Sequence, residues 1–380
     1  MQHKDPATVP RVAHIVIKLD YGGLEQCVLS WYKTRNQLYP QSTIIICLDD
    51  YGPLAKEIDQ NNIFALHANR ARFPWDTQAL KRLRQIIQSE NIAILHAHNT
   101  AARQYAALAS RGIKHLYTDH ATNIHLHGII NKIRLIYMRR HTDIYTTVSE
   151  ISAKQLAVAE NIEEETIHTI PNGVTPEKCG RCRKENRQRF DISDNETVIG
   201  FVGRLSPEKG VNRLISCFAK VHNADRLLIV GDGPQRDALE TQARQLNVFQ
   251  KTIFAGECEN ARSLLTAMDL FVLPSHSEGL PIALLEAMAE EIPVATTRVG
   301  NCPQVLDNGK YGTLLSNDET EWPAQLTHAI AHAKNDTTRK TVKDAHQWIA
   351  KNYSVASTVE KYEKRYRMLT SRETKGTPSC

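Results

Sequence analysis

Short β-branched runs alternate with amphipathic helical stretches along almost the whole chain, the pattern of repeated βα units on parallel sheets. The first series is expected as strands at residues 12–19, 43–48, 63–67, 92–96, 115–117 and 144–148. A second follows the polar, basic stretch 175–195, with strands expected at 198–202, 227–230, 253–255, 270–273, 293–296 and 313–315. A chain of 380 residues is too long for one ordinary core. The expected division is therefore a Rossmann-like domain over 1–174, a linker over 175–195, a second Rossmann-like domain over 196–352, and a C-terminal helix and tail over 353–380. The closing helices are expected to pack on the surface.

Bulk properties exclude several classes. A hydrophobic content of 41% with 23% charged residues is globular composition. The apolar run Ile44-Ile45-Ile46 is far short of the ~20 residues of a membrane span. The stretch Met1–Pro6 lacks an apolar leader core, so a cytoplasmic protein with reduced thiols is expected, and a contact with the inner face of the membrane is compatible with that. A net charge of +5 is too mild for a nucleic-acid binder, and suits acidic small substrates or an anionic membrane face. Cys179 and Cys182 lack the second ligand pair that a structural zinc needs, and read as linker residues.

Chemistry is expected in the loops that follow strands. After 198–202 comes Gly203-Arg204-Leu205-Ser206-Pro207-Glu208-Lys209-Gly210, then a helical pattern from about Val211. Two cations beside a helix N-terminus suit a diphosphate, Arg204 as a planar fork and Lys209 as a point charge. After 270–273 comes Pro274-Ser275-His276-Ser277-Glu278-Gly279-Leu280-Pro281, then the helical run Ile282–Ala289. With Pro281 as the first helical residue, Gly279 and Leu280 would offer N–H groups at the helix mouth. Glu278 in the loop and Glu286 in the helix can accept from paired hydroxyls, Glu278 from a transferred sugar and Glu286 from a ribose.

In order along the chain, Gly22-Gly23-Leu24-Glu25, Ile170-Pro171-Asn172-Gly173-Val174, Val202–Gly210, Val230-Gly231-Asp232-Gly233-Pro234 and the Glu278/Glu286 pair resemble the motifs of GT-B glycosyltransferases, specifically the large family 4. The resemblance implies an α/β protein with two Rossmann-like domains facing across a cleft. It implies retaining, metal-independent transfer of a hexose-type sugar from a UDP- or GDP-type nucleotide sugar to a glycan or lipid-linked acceptor, in cell-envelope polysaccharide or lipopolysaccharide synthesis. It assigns Arg204 and Lys209 to the diphosphate, Glu278 to the sugar, Glu286 to the ribose, and the Gly22–Gly23 turn to donor phosphate and acceptor. His120, in Tyr117-Thr118-Asp119-His120, matches a histidine that the family places near the reacting sugar. His120 and Glu278 are expected to position and to stabilise charge, and both a covalent nucleophile and same-face attack remain compatible with them. No two aspartates are separated by a single residue, so the Asp-x-Asp metal site of the other major glycosyltransferase fold is missing.

One stretch departs from the family pattern: where a Gly-Gly-x-x-Glu is common, this chain has Gly300-Asn301-Cys302-Pro303-Gln304, with an amide in place of the carboxylate. That amide motivates a rival expectation, a catalytically silent sugar-nucleotide binder. A second rival is a metal-dependent hydrolase using His96, His98 and His120, with His125 and His127 nearby. Finally, Lys132-Ile133-Arg134-Leu135-Ile136-Tyr137-Met138-Arg139-Arg140 mixes cations with apolar residues at helical spacing, as a helix lying on an anionic membrane would.

Overall fold

The computed structural model describes residues 9–70, 76–110, 112–120, 129–180, 183–333 and 335–371. His125, His127 and Cys182 lie outside them. The chain forms two compact units, Met1–Asn172 with Val355–Cys380, and Gly173–Ser354.

In the first unit, β1 (Val12–Val16), β2 (Thr43–Cys47), β3 (Ile63–Ala65), β4 (Ile94–Ala97), β5 (Lys114–Asp119), β6 (Ile144–Thr147) and β7 (Ile167–Thr169) make one sheet. Its order is β3-β2-β1-β4-β5-β6-β7 and every pairing is parallel. Strand β7 is absent from the expected series, being three residues that end two before Pro171 and too short to carry an alternation signal. The helices are α1 (Gly23–Leu38), α2 (Thr77–Ser89), α3 (Thr100–Ala109), α4 (Ile129–Arg140) and α5 (Glu150–Glu160). Side-chain caps start three of them: Asp76 accepts from Gln78 and Ala79, Asn99 from Ala102, and Ser149 from Ser152.

The two faces of this sheet differ. Ala13, Ile15, Leu95 and Ala97 join the large apolar cluster with residues of α2, α3 and α5. His14 and His96, in register on β1 and β4, project from the opposite face because neighbouring residues of a strand alternate.

The second unit contains α6 (Arg183–Gln188), β8 (Val198–Val202), α7 (Val211–Phe218), β9 (Arg226–Val230), α8 (Arg236–Gln245), β10 (Thr252–Gly256), α9 (Ala261–Leu264), β11 (Leu270–Leu273), α10 (Ile282–Ala289), β12 (Val294–Thr296), α11 (Cys302–Val305), β13 (Thr313–Leu314), α12 (Trp322–His332) and α13 (Asp336–Asn352). The sheet order is β10-β9-β8-β11-β12-β13, again wholly parallel. The stretch 175–195, expected as a linker, is bound into this unit. The buried Arg187 donates to Asp269 at 2.7 Å and to the carbonyls of Ala267 and Ser193, and Arg183 reaches the same carboxylate at 2.6 Å.

The last helix, α14 (Val355–Ser371), returns to the first unit. Its outer side lies on the surface as expected, with Glu360 and Lys364 exposed, but its inner side completes the core. Tyr362 and Tyr366 are buried there, and Arg35 of α1 donates to buried Glu363 at 3.0 Å. Arg35 also donates to Thr43 and to the carbonyls of Pro10 and Ser42, so the buried charge is well partnered.

Candidate functional site

In both sheets the chain winds outward from an interior first strand, so the strand order reverses between the first and fourth strands. Loops at the carboxyl ends of those two strands flank the crevice where open α/β sheets bind ligands. In the second unit these are the loops after β8 and β11, the two that carry the cationic and acidic motifs.

The loops are in contact through glycines. Gly210 has φ +62°, and a Cβ there would collide with the carbonyl oxygen of Pro274 in the β11 loop. Gly300, at φ +51°, stands in the same way against the Glu278 carbonyl and so fits the β12 loop onto the β11 loop. His276 N–H donates to the Glu208 carbonyl at 2.8 Å, and Asn301 N–H to the Gly279 carbonyl at 3.1 Å.

This packing brings Lys209 and Glu278 together. Lys209 Nζ donates to both carboxylate oxygens, at 2.8 and 2.9 Å, and Ser275 Oγ donates to Glu278 Oε1 at 2.6 Å. The Ser275 carbonyl in turn accepts from Thr297 Oγ1 at 2.7 Å. The Glu278 side chain is only 7% exposed while that of Lys209 is 24% exposed, so Lys209 is the partner more open to solvent. An ammonium has three protons, and two bonds to Glu278 leave one for an anion. Arg204 is exposed on the β8 loop, and Gly203 precedes it with its N–H bonded to the Val230 carbonyl at 3.0 Å. Ser275 was not singled out from sequence, and Gly300 stood out only as part of the stretch that departs from the family pattern, not for its contact with the β11 loop.

Helix α10 spans the expected run, Ile282–Ala289, but Pro281 does not take its first helical position. Pro281 is its N-cap, with extended φ/ψ, and Ile282 is the first helical residue, so the unpaired first-turn N–H groups belong to residues 282–284 rather than to Gly279 and Leu280. Leu280 is buried and Gly279 is half-buried. Glu286 is half-buried further along α10. Burial raises its pKa from 4.5 to about 7, Arg262 pulls it back, and Glu290 adds to the rise. Arg262 is itself held by Glu290 at 2.6 Å. Gln304 is exposed on α11, whose buried residues are Cys302 and Val305.

In the first unit, the loop after β1 leads to Gly22 and Gly23, the N-cap and first residue of α1, and the space beside Gly22 is taken by the Glu25 side chain. His98 follows β4 and His120 follows β5. His98 Nδ1 lies 3.3 Å from His120 Nε2, and His98 Nε2 lies 2.8 Å from His14 Nδ1. His14, missed in the sequence reading, was detectable as a polar residue set among Val12, Ala13, Ile15 and Val16 of an apolar run. Among the described residues, His14, His96 and His98 are the grouping close enough to share a metal. However, both His96 nitrogens are at 2.7 Å from hydroxyls, Nδ1 from Tyr366 and Nε2 from Thr118.

On α4, Ile133 is 62% exposed, beside exposed Lys132, Ile136, Tyr137 and Arg140. Arg139 is engaged elsewhere, its guanidinium donating to the carbonyls of Glu160 and Asn161, at 3.2 and 3.1 Å, where α5 ends. No helix among the described residues is long and apolar enough to cross a membrane.

Known proteins resemble this chain along most of its length. Residues 21–178 match the family model "Glycosyltransferase Family 4" and residues 182–355 match "Glycosyl transferases group 1". The chain is 27% identical over 307 residues to N-acetyl-alpha-D-glucosaminyl L-malate synthase of Bacillus anthracis, covering 77% of this chain and 79% of that protein. It is also 27% identical over 351 residues to the O-antigen biosynthesis glycosyltransferase WbnH of Escherichia coli, covering 91% and 97%. Among solved structures, Anabaena HepE in complex with UDP-glucose superimposes with a TM-score of 0.78 at 21% identity, covering 95% of this chain and 99% of that one.

Proposed function

The chain belongs to the glycosyltransferases, with a family 4 segment followed by a group 1 segment on a GT-B fold, and from that premise we propose that it moves a hexose-type sugar from a nucleoside-diphosphate sugar to a glycan or lipid-linked acceptor. The observation that carries this reading is the Lys209–Glu278–Ser275 group at the switch point of the second sheet. A partly exposed cation sits there against a carboxylate that can accept from sugar hydroxyls.

Arg204 and the third proton of Lys209 hold the diphosphate and stabilise the charge that grows on it as it leaves, which is how such side chains lower the barrier without a bound metal. The first-turn N–H groups of α10 supply further donors to that charge. Glu286 accepts from the ribose hydroxyls and Glu278 from the transferred sugar. In the first unit, His120 contacts the sugar and the Gly22–Gly23 turn serves donor phosphate and acceptor. Transfer proceeds with retention. The relatives include a protein named for O-antigen biosynthesis, which supports an acceptor in cell-envelope polysaccharide synthesis. The exposed apolar and basic residues of α4 support a peripheral contact with the inner face of the membrane.

The test is a thermal-shift screen of the full chain against UDP-, GDP- and ADP-sugars and the free nucleotides. One nucleotide class should raise the melting temperature with a concentration dependence that saturates. No shift with any of them would refute the reading.

A further inference from the structure

The histidine-bearing face of the first sheet contains a row of three imidazoles joined end to end. His14 Nδ1 meets His98 Nε2 at 2.8 Å, His98 Nδ1 meets His120 Nε2 at 3.3 Å, and His120 Nδ1 is buried with no partner among the described residues. Trp31 of α1 covers the row, its ring centroid 5.4 Å from that of His98 and 6.1 Å from that of His120. His96 lies alongside and is not a link in it, being bonded instead to Tyr366 and Thr118.

A shared metal is the other way to use such a cluster. Two nitrogens bound to one tetrahedral zinc at 2.0–2.1 Å stand about 3.3 Å apart. The 2.8 Å between His14 and His98 is a hydrogen-bond distance, and His96 would have to give up a hydroxyl partner to bind an ion.

All three imidazoles are neutral at neutral pH. Burial lowers His14 to about 3, with Arg35 adding to the shift, lowers His98 far below the usual range, and lowers His120 to about 4. A neutral imidazole has one N–H and one lone pair. Each link therefore consumes one of each, and the row as a whole has only two arrangements. In one, the N–H bonds point from His14 towards His120, and His120 ends in a buried Nδ1–H without an acceptor. In the other they point from His120 towards His14, and His120 ends in an Nδ1 lone pair. The first arrangement strands its terminal N–H on His120 Nδ1, a buried atom left without a partner, whereas the second ends in an N–H on His14 Nε2, which is not among the buried unpartnered atoms; orphaned buried N–H groups are rarer than under-used acceptors, which selects the second arrangement.

We infer that His14 and His98 are positioning residues which hold His120 in the Nε2–H tautomer, so that its free Nδ1 accepts a hydrogen bond from a ligand hydroxyl. The inference rests on the proposal that His120 contacts the transferred sugar, and it adds the chemistry of that contact. A carbohydrate O–H fits this atom; a phosphate or carboxylate oxygen, with no proton to give, does not.

The test reads the tautomer directly, by long-range proton–nitrogen correlation on full-length protein labelled at the imidazole nitrogens. His14, His98 and His120 should each show the Nε2–H form. His14→Phe should release His120 into a mixture of tautomers and lower transfer kcat roughly tenfold with donor KM unchanged. His14→Asn, whose amide oxygen can reach the Nδ1 position and accept from His98, should restore both. His98→Phe, if it folds, should match His14→Phe. An Nδ1–H form at His120 in the native chain, or an unaltered His120 tautomer in His14→Phe, overturns the inference. Correct tautomers in a protein that transfers no sugar would count against the glycosyltransferase site assignment and leave the row standing.

Discussion

At the scale of single residues, Lys209 and Arg204 share an assignment but not an environment. Arg204 is exposed, so Arg204→Ala should lower turnover by about 10²-fold, the usual loss of one donor to developing charge, without shifting the melting temperature. Lys209→Ala also strips the Glu278 carboxylate of two of its three bonds. It should therefore lower turnover at least as much, weaken discrimination among donor sugars, and lower the melting temperature. Steady-state kinetics and calorimetry on the two variants check this, and full activity in both would remove the diphosphate assignment. Glu286 yields a prediction in pH. Its folded pKa, about 7, lies above the ordinary 4.5, so its contribution to stability is complete below about pH 4.5 and is lost as pH rises towards 7. The difference amounts to about 3 kcal/mol. Glu286→Gln should remove that share of the pH dependence, and should be more stable than the native chain at neutral pH. Donor affinity should show the opposite trend: an ionised Glu286 is the better acceptor for two ribose hydroxyls, so native affinity should rise with pH through about 7, and the Gln variant should show no such rise. Melting curves and donor titrations across that range measure both.

At the scale of elements, the sequence was readable where a periodic pattern coincided with a local signal. β8 and β11 were apolar runs ending at a Gly-Arg and a Pro-Ser, and they occupy the expected residues. The run of α10 matched, but Pro281 is its N-cap instead of its first helical residue, because a proline satisfies the geometry of either position. β7 and the role of Gly300 were not legible, since the first is three residues long and the second depends on which loop lies against it. The Lys209–Glu278 bond was likewise invisible: residues 69 apart meet only because β8 and β11 are neighbours in the sheet, and strand order is not written in periodicity. Helix α4 shows the same limit. Four of its cations looked equivalent, yet Arg139 is tied to the carbonyls at the end of α5. The membrane test should therefore spare Arg139. Lys132→Glu with Arg140→Glu should weaken binding to anionic vesicles at least roughly tenfold, at about 1 kcal/mol per cation, and leave the donor-induced thermal shift unaltered. Unchanged vesicle sedimentation would rule out α4 as the contact.

At the scale of the whole molecule, the chain leaves the first unit at Asn172 and returns to it at Val355, so the two units differ in what they need from sequence. The second is continuous. The first requires α14, because that helix supplies Glu363 to the buried Arg35, and Tyr366 and Tyr362 to His96 and Thr118. Without it, Arg35 loses its carboxylate and His96 a hydroxyl, losses that cost about 3–5 kcal/mol for the broken ion pair and about 1–3 kcal/mol for the unsatisfied nitrogen. A small domain has only about 5–15 kcal/mol to lose. Residues 1–172 alone should accordingly be unfolded or aggregated. Joining 172 to 355 through a short Gly/Ser linker should recover a cooperative fold, because Thr358 already hydrogen-bonds to the Pro171 carbonyl at 2.9 Å, so the two ends are adjacent. Residues 173–354 expressed alone should fold without either and, if the donor assignments are right, retain a thermal shift with the nucleotide that stabilises the full chain. Circular dichroism and melting curves on the three shortened chains decide the matter: a folded 1–172 would show that α14 only covers the sheet, and a failure of the linked 1–172/355–371 would show that the first unit depends on more than its own residues.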